Sequence, residues 1–374
     1  MKILLTADPE LPVPPKLYGG IERIIEALVN EYVKKGHEVT LCANANSKVP
    51  CRLIGWKGTR SQNRIDILKN IITLTGLVYK ERFDIVHSFS RLAYMTAIFP
   101  IETPKIMSYQ REPSVGQVQK AVMLSRKGSF AVTGCSNYIT NQLSSVCEAH
   151  TIYNCASVEH FSFSGSIDSD APLVFLGRIE DIKGTHIAID IAQRAYKKLI
   201  IAGNIPQGKE HYFEKMIKPH LSDRITYIGP VNDEQKNELL GNALAFLMPI
   251  QWNEPFGIVM AEAMACGTPV LGFPFGSVSE VVVDNINGFI CSNTDEMVER
   301  VNIVNTIDRK SVRKIAEARF SNSKIATDYL ELYRKLINRA NRENEINKKS
   351  KNDNTQTKSR IVSYPSDSYY QRKF

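Results

Sequence analysis

The chain is poor in the residues that staple or anchor proteins. Of 374 residues only seven are cysteines, at 42, 51, 135, 147, 155, 266 and 291. The number is odd and no CxxC pair occurs, which argues against a disulfide framework and against a zinc site. No run reaches about 18 uninterrupted apolar residues, so no transmembrane helix is expected. The N-terminus, MKILLTADPE, lacks the apolar region and small-residue cleavage site of a signal peptide and reads as a first β-strand. A reducing cytoplasm is the expected compartment. Several catalytic signatures are missing too: there is no Walker A sequence, no GxSxG and, among seven histidines, no HExxH. A DSD at 168–170 follows no strand and is not expected to hold a metal.

What remains is ordinary globular material, 43% apolar and 23% charged, long enough for two domains or at most three. The net charge of +8 is uneven. Residues 1–158 carry 19 Lys/Arg against 12 Asp/Glu, residues 159–338 carry 19 against 23, and the last 36 carry 9 against 4. The basic ends favour an anionic substrate or surface, including peripheral contact with the inner face of an anionic membrane. The alternative is that they serve solubility. No nucleic-acid partner is expected.

Apolar runs alternate with amphipathic ones, the pattern of doubly wound parallel α/β folds. Strands are expected at Ile3–Thr6, Val39–Cys42, Ile85–Ser88, Ile106–Tyr109, Phe130–Thr133 and Thr151–Tyr153. A helix from about Ile21 to Lys35 stops at Gly36. After a Ser/Asp/Gly-rich linker at 161–170, strands recur at Leu173–Leu176, Leu199–Ala202, Ile225–Ile228, Ala245–Met248, Pro269–Gly272 and Phe289–Cys291. The reading is two Rossmann-like domains, 1–160 and 171–323, facing across a cleft at the carboxyl ends of their strands. A helix at Lys324–Arg339 follows. Residues 341–374 are polar and basic and are expected to be disordered; the closing SYPSDSYYQRKF suits a solvated tail or a docking peptide.

Four stretches carry candidate chemistry. In FLGRIEDIKGTH a buried strand ends at Gly177, and Arg178 and Lys183 follow. Two cations on such a connection can converge on a diphosphate, or they are solvated loop charges. In LYGGIERIIEAL, Gly19 and Gly20 precede an amphipathic helix, whose free N–H groups suit an anion; a plain loop-to-helix turn explains them equally. In QWNEPFGIVMAEAMACGTPV, Pro255 reads as the first turn of a helix ending near Cys266, with Glu254 just before it and Glu262 two turns inside. On that helix the two Cα atoms lie roughly 12 Å apart. Glycosidase pairs flanking one bond lie about 5 to 9.5 Å apart, so a long ligand held at two points fits better. Glu262 otherwise sits on the surface of an Ala-rich helix. In DIVHSFS, His87 ends a strand and can reach the cleft, although a lone histidine is more often structural.

Taken in order, YGGIE, KKGHEVTL, DIVHS, IYN, LGRIEDIKG, EPFGIVMAEAMACGTPV and NGFI resemble the family 4 retaining glycosyltransferases, over about residues 1–340. Glu254 to Glu262 looks like that family's E-x7-E signature, and Arg178 with Lys183 like its R-x4-K. The resemblance implies a GT-B fold, with the N-terminal domain for the acceptor, the C-terminal domain for a nucleotide-sugar donor, and a last helix at 324–340 passing back to the first domain. It implies transfer of a hexose with retention, the donor a UDP-sugar first and GDP-mannose second. The acceptor would be a glycan, a lipid-linked or a small molecule. Arg178 and Lys183 would neutralise the leaving diphosphate, so no metal or other cofactor is expected. Glu254 would bind the donor sugar and Glu262 the ribose. Phe256, Gly257 and Ile258 would offer backbone N–H groups, Gly19 and Gly20 would close on the phosphate, His87 would lie near the reacting face, and the base would sit near Gly229–Val231. The alternatives are an epimerase or phosphorylase of the same fold, or a nucleotide-sugar-binding regulator without turnover.

Overall fold

A computed structural model describes residues 1–15 and 19–361. It holds two parallel sheets. The first contains β1 (Lys2–Thr6), β2 (Glu38–Ala43), β3 (Arg52–Gly55), β4 (Ile85–Ser88), β5 (Lys105–Tyr109), β6 (Phe130–Gly134) and β7 (Ala149–Thr151), in the spatial order β3-β2-β1-β4-β5-β6-β7. The second contains β8 (Leu173–Leu176), β9 (Leu199–Ala202), β10 (Ile225–Tyr227), β11 (Ala245–Met248), β12 (Val270–Gly272) and β13 (Gly288–Ile290), in the order β10-β9-β8-β11-β12-β13. The fold is α/β, two Rossmann-like domains. Each sheet reverses its winding beside its own first strand, between β1 and β4 and between β8 and β11. Those switch points are where such sheets open a crevice for ligands.

The helices are α1 (Gly20–Lys34), α2 (Arg64–Lys80), α3 (Val115–Leu124), α4 (Asn137–Asn141), α5 (Thr185–Arg194) and α6 (Glu210–Met216). They continue with α7 (Asp233–Gly241), α8 (Ile258–Ala265), α9 (Val278–Val281), α10 (Thr294–Ile303), α11 (Arg309–Phe320) and α12 (Asn322–Ile361). On α1 the buried Ile24, Ile25, Leu28, Val29 and Tyr32 follow helical spacing. Gly36 ends the turn with φ +78°, a left-handed geometry that favours glycine. Along β1, Ile3 and Leu5 point into the core under α1 and α12, and Leu4 points into the core on the other face.

The helix α12 begins after the second domain and packs back on α1 of the first. Ile325, Tyr329, Tyr333 and Leu336 form its buried stripe. It extends well past Arg339. Residues 341–361 are helical, where a disordered tail was expected. The physical reason is that no glycine or proline interrupts 322–361, so nothing stops a helix already anchored by its first turns. Residues 362–374, with the closing tyrosines, lie outside the described residues, as do Leu17 and Tyr18 of the YGG motif.

Two smaller differences concern edges. β3 was not expected; it carries a single pair of apolar residues, Leu53 and Ile54, and pairs only with β2. β7 lies two residues earlier than its apolar run suggested. Short edge strands carry weak alternation, so pairing with a neighbour defines them. All seven cysteines are free thiols.

Candidate active site

The carboxyl edge of the second sheet is built of glycine where strands end. Gly177 follows β8, Gly203 follows β9 and Gly229 lies just beyond β10. Gly203 donates to the Gly229 carbonyl at 2.8 Å, and Gly177 donates to the Ala202 carbonyl at 3.0 Å. A Cβ on Gly203 would stand 1.7 Å from the Gly177 carbonyl oxygen, so the backbones touch there and leave no side chains over the edge. A Cβ on Gly229 would meet nothing within 4 Å, which marks open space.

Beside this edge three groups converge. Lys183 Nζ donates to Glu254 Oε2 at 2.7 Å and lies 4.5 Å from the centre of the Trp252 ring. Trp252 Nε1 donates to the same oxygen at 3.1 Å. The Lys183 and Glu254 side chains are 16% and 12% exposed, enough to meet a ligand and little enough to be only weakly screened. Arg178 stands apart: its Nη2 is 2.7 Å from Glu180 Oε1, and its side chain is 41% exposed. Sequence spacing paired Arg178 with Lys183. The structure instead brings Lys183 to Glu254, with Trp252 as a floor that sequence reasoning missed. One of only two tryptophans lying two residues before Glu254 was the available signal.

The Glu254 backbone is fixed as well. It bridges to Gly276, and Ser277 donates to the Glu254 carbonyl at 2.9 Å. This overturns the expected helix from Pro255. α8 starts at Ile258, because Gly257 has φ +72° and caps it from a left-handed conformation. Residues 254–257 are not helical, and rise per residue therefore does not measure the distance from Glu254 to Glu262. Among the described residues no protein acceptor bonds to the N–H of Phe256, Gly257 or Ile258. Three consecutive free N–H groups at a helix start form a fixed positive end. The Phe256 side chain itself turns away into a cluster with Tyr153 and Phe320.

The second glutamate is engaged elsewhere. Glu262 Oε1 accepts from Lys236 Nζ of α7 at 2.5 Å, and its side chain is only 8% exposed. Glu254 and Glu262 thus face different lysines. Val231 lines a hollow of about 310 Å³ with Ile200, Ile228 and Leu239, against α7 on the flank of the sheet.

From the first domain, α1 points its start at α8. A Cβ on Gly20 would lie 3.2 Å from Ile258 Cδ1, so the two helix starts touch across the cleft. Gly19, at φ +155°, caps α1. Arg23 pairs with Asp233 at 2.7 Å, and Glu280 of α9 accepts from the N–H groups of Asn137 and Tyr138 at 2.7 and 2.8 Å. These contacts, absent from the sequence reading, hold the domains together beside the site.

His87 is the clear correction. It is fully buried, with no access to the cleft. Nδ1 lies 2.5 Å from Tyr333 Oη of α12, and Nε2 lies 2.6 Å from Ser108 Oγ. Phe89 and Tyr329 stack around the ring. Burial pushes its pKa down to about 3, so it is a neutral strut between sheet and helix. The cause is α12, which covers the face of the sheet on which His87 lies.

The polar groups at the first sheet's switch point are different ones. Asp8 follows β1, Arg91 follows β4 and Gln110 follows β5. Asp8 Oδ1, Arg91 Nε and Gln110 Nε2 are buried without a hydrogen-bond partner. Burial, with Glu10 adding, raises the Asp8 pKa to about 6, while Arg111 and Arg91 oppose the shift. Between about pH 4 and 6 the folded protein then keeps a proton that the unfolded chain has released, so stability falls as pH rises through that window. Asp8→Asn is expected to flatten this slope and to raise stability at pH 7 by about 1–3 kcal/mol. Melting curves from pH 4 to 7 measure it; parallel curves for both proteins would show that Asp8 carries no such burden.

Comparison with known proteins agrees with this frame. Residues 158–319 match the family described as Glycosyl transferases group 1, and residues 18–109 match Glycosyltransferase Family 4. Spore coat protein SA of Bacillus subtilis (strain 168) is 23% identical, covering 90% of this chain and 100% of its own length. AviGT4, a glycosyltransferase involved in avilamycin A biosynthesis, superposes with a TM-score of 0.70 at 23% identity, covering 90% of this chain and 98% of that one. Anabaena Alr3699/HepE in complex with UDP and glucose gives a TM-score of 0.68 at 20% identity, covering 89% of this chain and 99% of that one. The structural likenesses establish the GT-B fold. Sequence family and fold lead to one conclusion: the protein is a glycosyltransferase, with a Glycosyltransferase Family 4 match in its first domain and a group 1 match across its second.

Proposed function

We propose that the protein transfers a hexose from a nucleotide-sugar, a UDP-sugar before GDP-mannose, to an acceptor hydroxyl with retention at the anomeric carbon. The observation that carries this is the Lys183–Glu254–Trp252 cluster beside three free backbone N–H groups, opposite the start of α1. The diphosphate would lie against Lys183 and the N–H groups of Phe256, Gly257 and Ile258, with Arg178 reaching its outer oxygens and Gly19 and Gly20 closing from the other domain. Glu254 would accept from sugar hydroxyls. The base would lie on the open edge at Gly229, and the ribose diol would meet Glu262 together with Lys236. The preference for UDP is supported by HepE, whose crystals hold UDP and glucose.

In the reaction the acceptor hydroxyl bonds to the anomeric carbon as the bond from that carbon to the phosphate oxygen breaks. The nucleoside diphosphate leaves with the electron pair, and the hydroxyl proton passes to a phosphate oxygen on the same face. Fixed cations and dipoles stabilise the charge developing on the diphosphate. The acceptor, a glycan, lipid-linked or small molecule, would enter at Asp8, Arg91 and Gln110, where unpartnered groups suit a hydroxyl that both donates and accepts.

A panel of nucleotide-sugars screened by thermal shift, followed by NMR of the product anomer, tests the reading. Inverted product would overturn retention, and donor conversion without acceptor would point to an epimerase. Turnover is expected to persist in EDTA, because Lys183 and Arg178 supply the charge. Loss in EDTA with rescue by a divalent ion would reassign that role to a metal.

A further inference from the structure

The helix α2 carries apolar residues on its outer face as well as its inner one. Its inner face buries Asn70, Leu74 and Val78. On the opposite face Ile65, Leu68, Ile72 and Tyr79 are 66%, 57%, 60% and 66% exposed. Their spacing of three, four and seven places them on one stripe of the helix. The neighbouring α3, which packs with α2 on the same turn at Leu92–Ile98, adds Met123 and Leu124, 80% and 54% exposed. A surface helix of a globular protein normally turns its apolar residues inward, and an exposed apolar stripe of this kind marks an interaction site.

Cations surround the stripe. Lys57 and Arg60 precede α2, Arg64, Lys69 and Lys80 flank the stripe on α2 itself, and Lys120 lies on α3; all six are exposed. The one acid on α2, Asp66, is already engaged by Lys69 and by the N–H groups of Thr59 and Arg60. We propose that α2 and the end of α3 form a membrane-docking face, which lays its apolar stripe into an anionic lipid surface while the surrounding lysines and arginines meet the headgroups. Charge complementarity selects this occupant over a second copy of the chain, because symmetric pairing would set six cations against six. The exposure of these apolar side chains, each above half, suits a fluid layer that closes around them as well. No helix among the described residues is long and apolar enough to cross a membrane, so the association is peripheral. The inference stands independently of the reaction proposed above.

Co-sedimentation of the full chain with phosphatidylcholine vesicles, with and without phosphatidylglycerol, tests it. Binding is expected only with the anionic lipid, weakened but not abolished by salt. Leu68→Ser, Ile72→Ser and Tyr79→Ser together are expected to weaken partition by about tenfold or more. Because these positions are exposed, the melting temperature should hold, and circular dichroism checks the fold. Wild-type partition by the triple variant would overturn insertion and leave only a basic patch. Absence of binding to anionic vesicles, or a concentration-dependent dimer in sedimentation that the same substitutions abolish, would overturn the lipid assignment.

Discussion

Lys183→Ala is expected to lower turnover by about 10² or more, the scale of losing one fixed contact to charge that develops in the transition state. That factor corresponds to about 2.7 kcal/mol of barrier. Lys183 is held at its post by the Trp252 ring beneath it and the Glu254 carboxylate beside it, so it needs little reorganisation when the leaving group gains charge. Glu254→Gln should cost a similar factor for a different reason. The amide keeps the shape and one acceptor oxygen, but it replaces the second acceptor by an NH2 donor and removes the charge that orients Lys183. The two losses should not add, because each substitution also disables the other residue. Saturating-donor kinetics on both single variants and the double variant measures this. A near-wild-type rate for either single variant on the correct acceptor would remove that residue from the chemistry. Denaturant unfolding of the same proteins separates catalysis from stability, since Lys183→Ala also leaves a largely buried carboxylate short of its cation.

The second large effect is mechanical. Gly184 follows Lys183, has φ +76° and caps α5. A Cβ there would stand 1.9 Å from the carbonyl oxygen of Pro249, the residue after β11. Gly184→Ala therefore combines a left-handed backbone, costing about 1–2 kcal/mol, with an overlap that only separation of the two segments relieves. A loss of at least about 3 kcal/mol is expected, with turnover reduced because Lys183 shifts with its neighbour. Gly208→Ala is the control: it shares a positive φ of +83°, yet nothing lies within 4 Å of its Cβ. It should lose only the backbone term, about 1–2 kcal/mol. Equal losses in the two variants would show that the contact between Gly184 and Pro249 is looser than described.

Much of the frame was legible locally. β8, β9 and β11 fall on the residues their apolar runs indicated, and α1 begins within a residue of its expected start. Those elements are buried on both faces or are strongly amphipathic, so their sequences carry a clear signal. The helix after Glu254 begins later than its motif suggests, because a proline at a helix start and a proline in a preceding loop look alike in sequence. The left-handed Gly257 decides between them.

The sequence by itself determined the two-domain α/β class, the order of the motifs and the residue types at the second sheet's edge, because these depend on short-range periodicity and composition. Tertiary structure alone decided partners. It gave Lys183 to Glu254 and Lys236 to Glu262, closed α12 over His87, brought Gly20 against Ile258, and turned the apolar stripe of α2 outward. Periodicity shows that a helix has two faces; only packing between residues far apart in the chain shows which face is covered and which carboxylate each lysine meets.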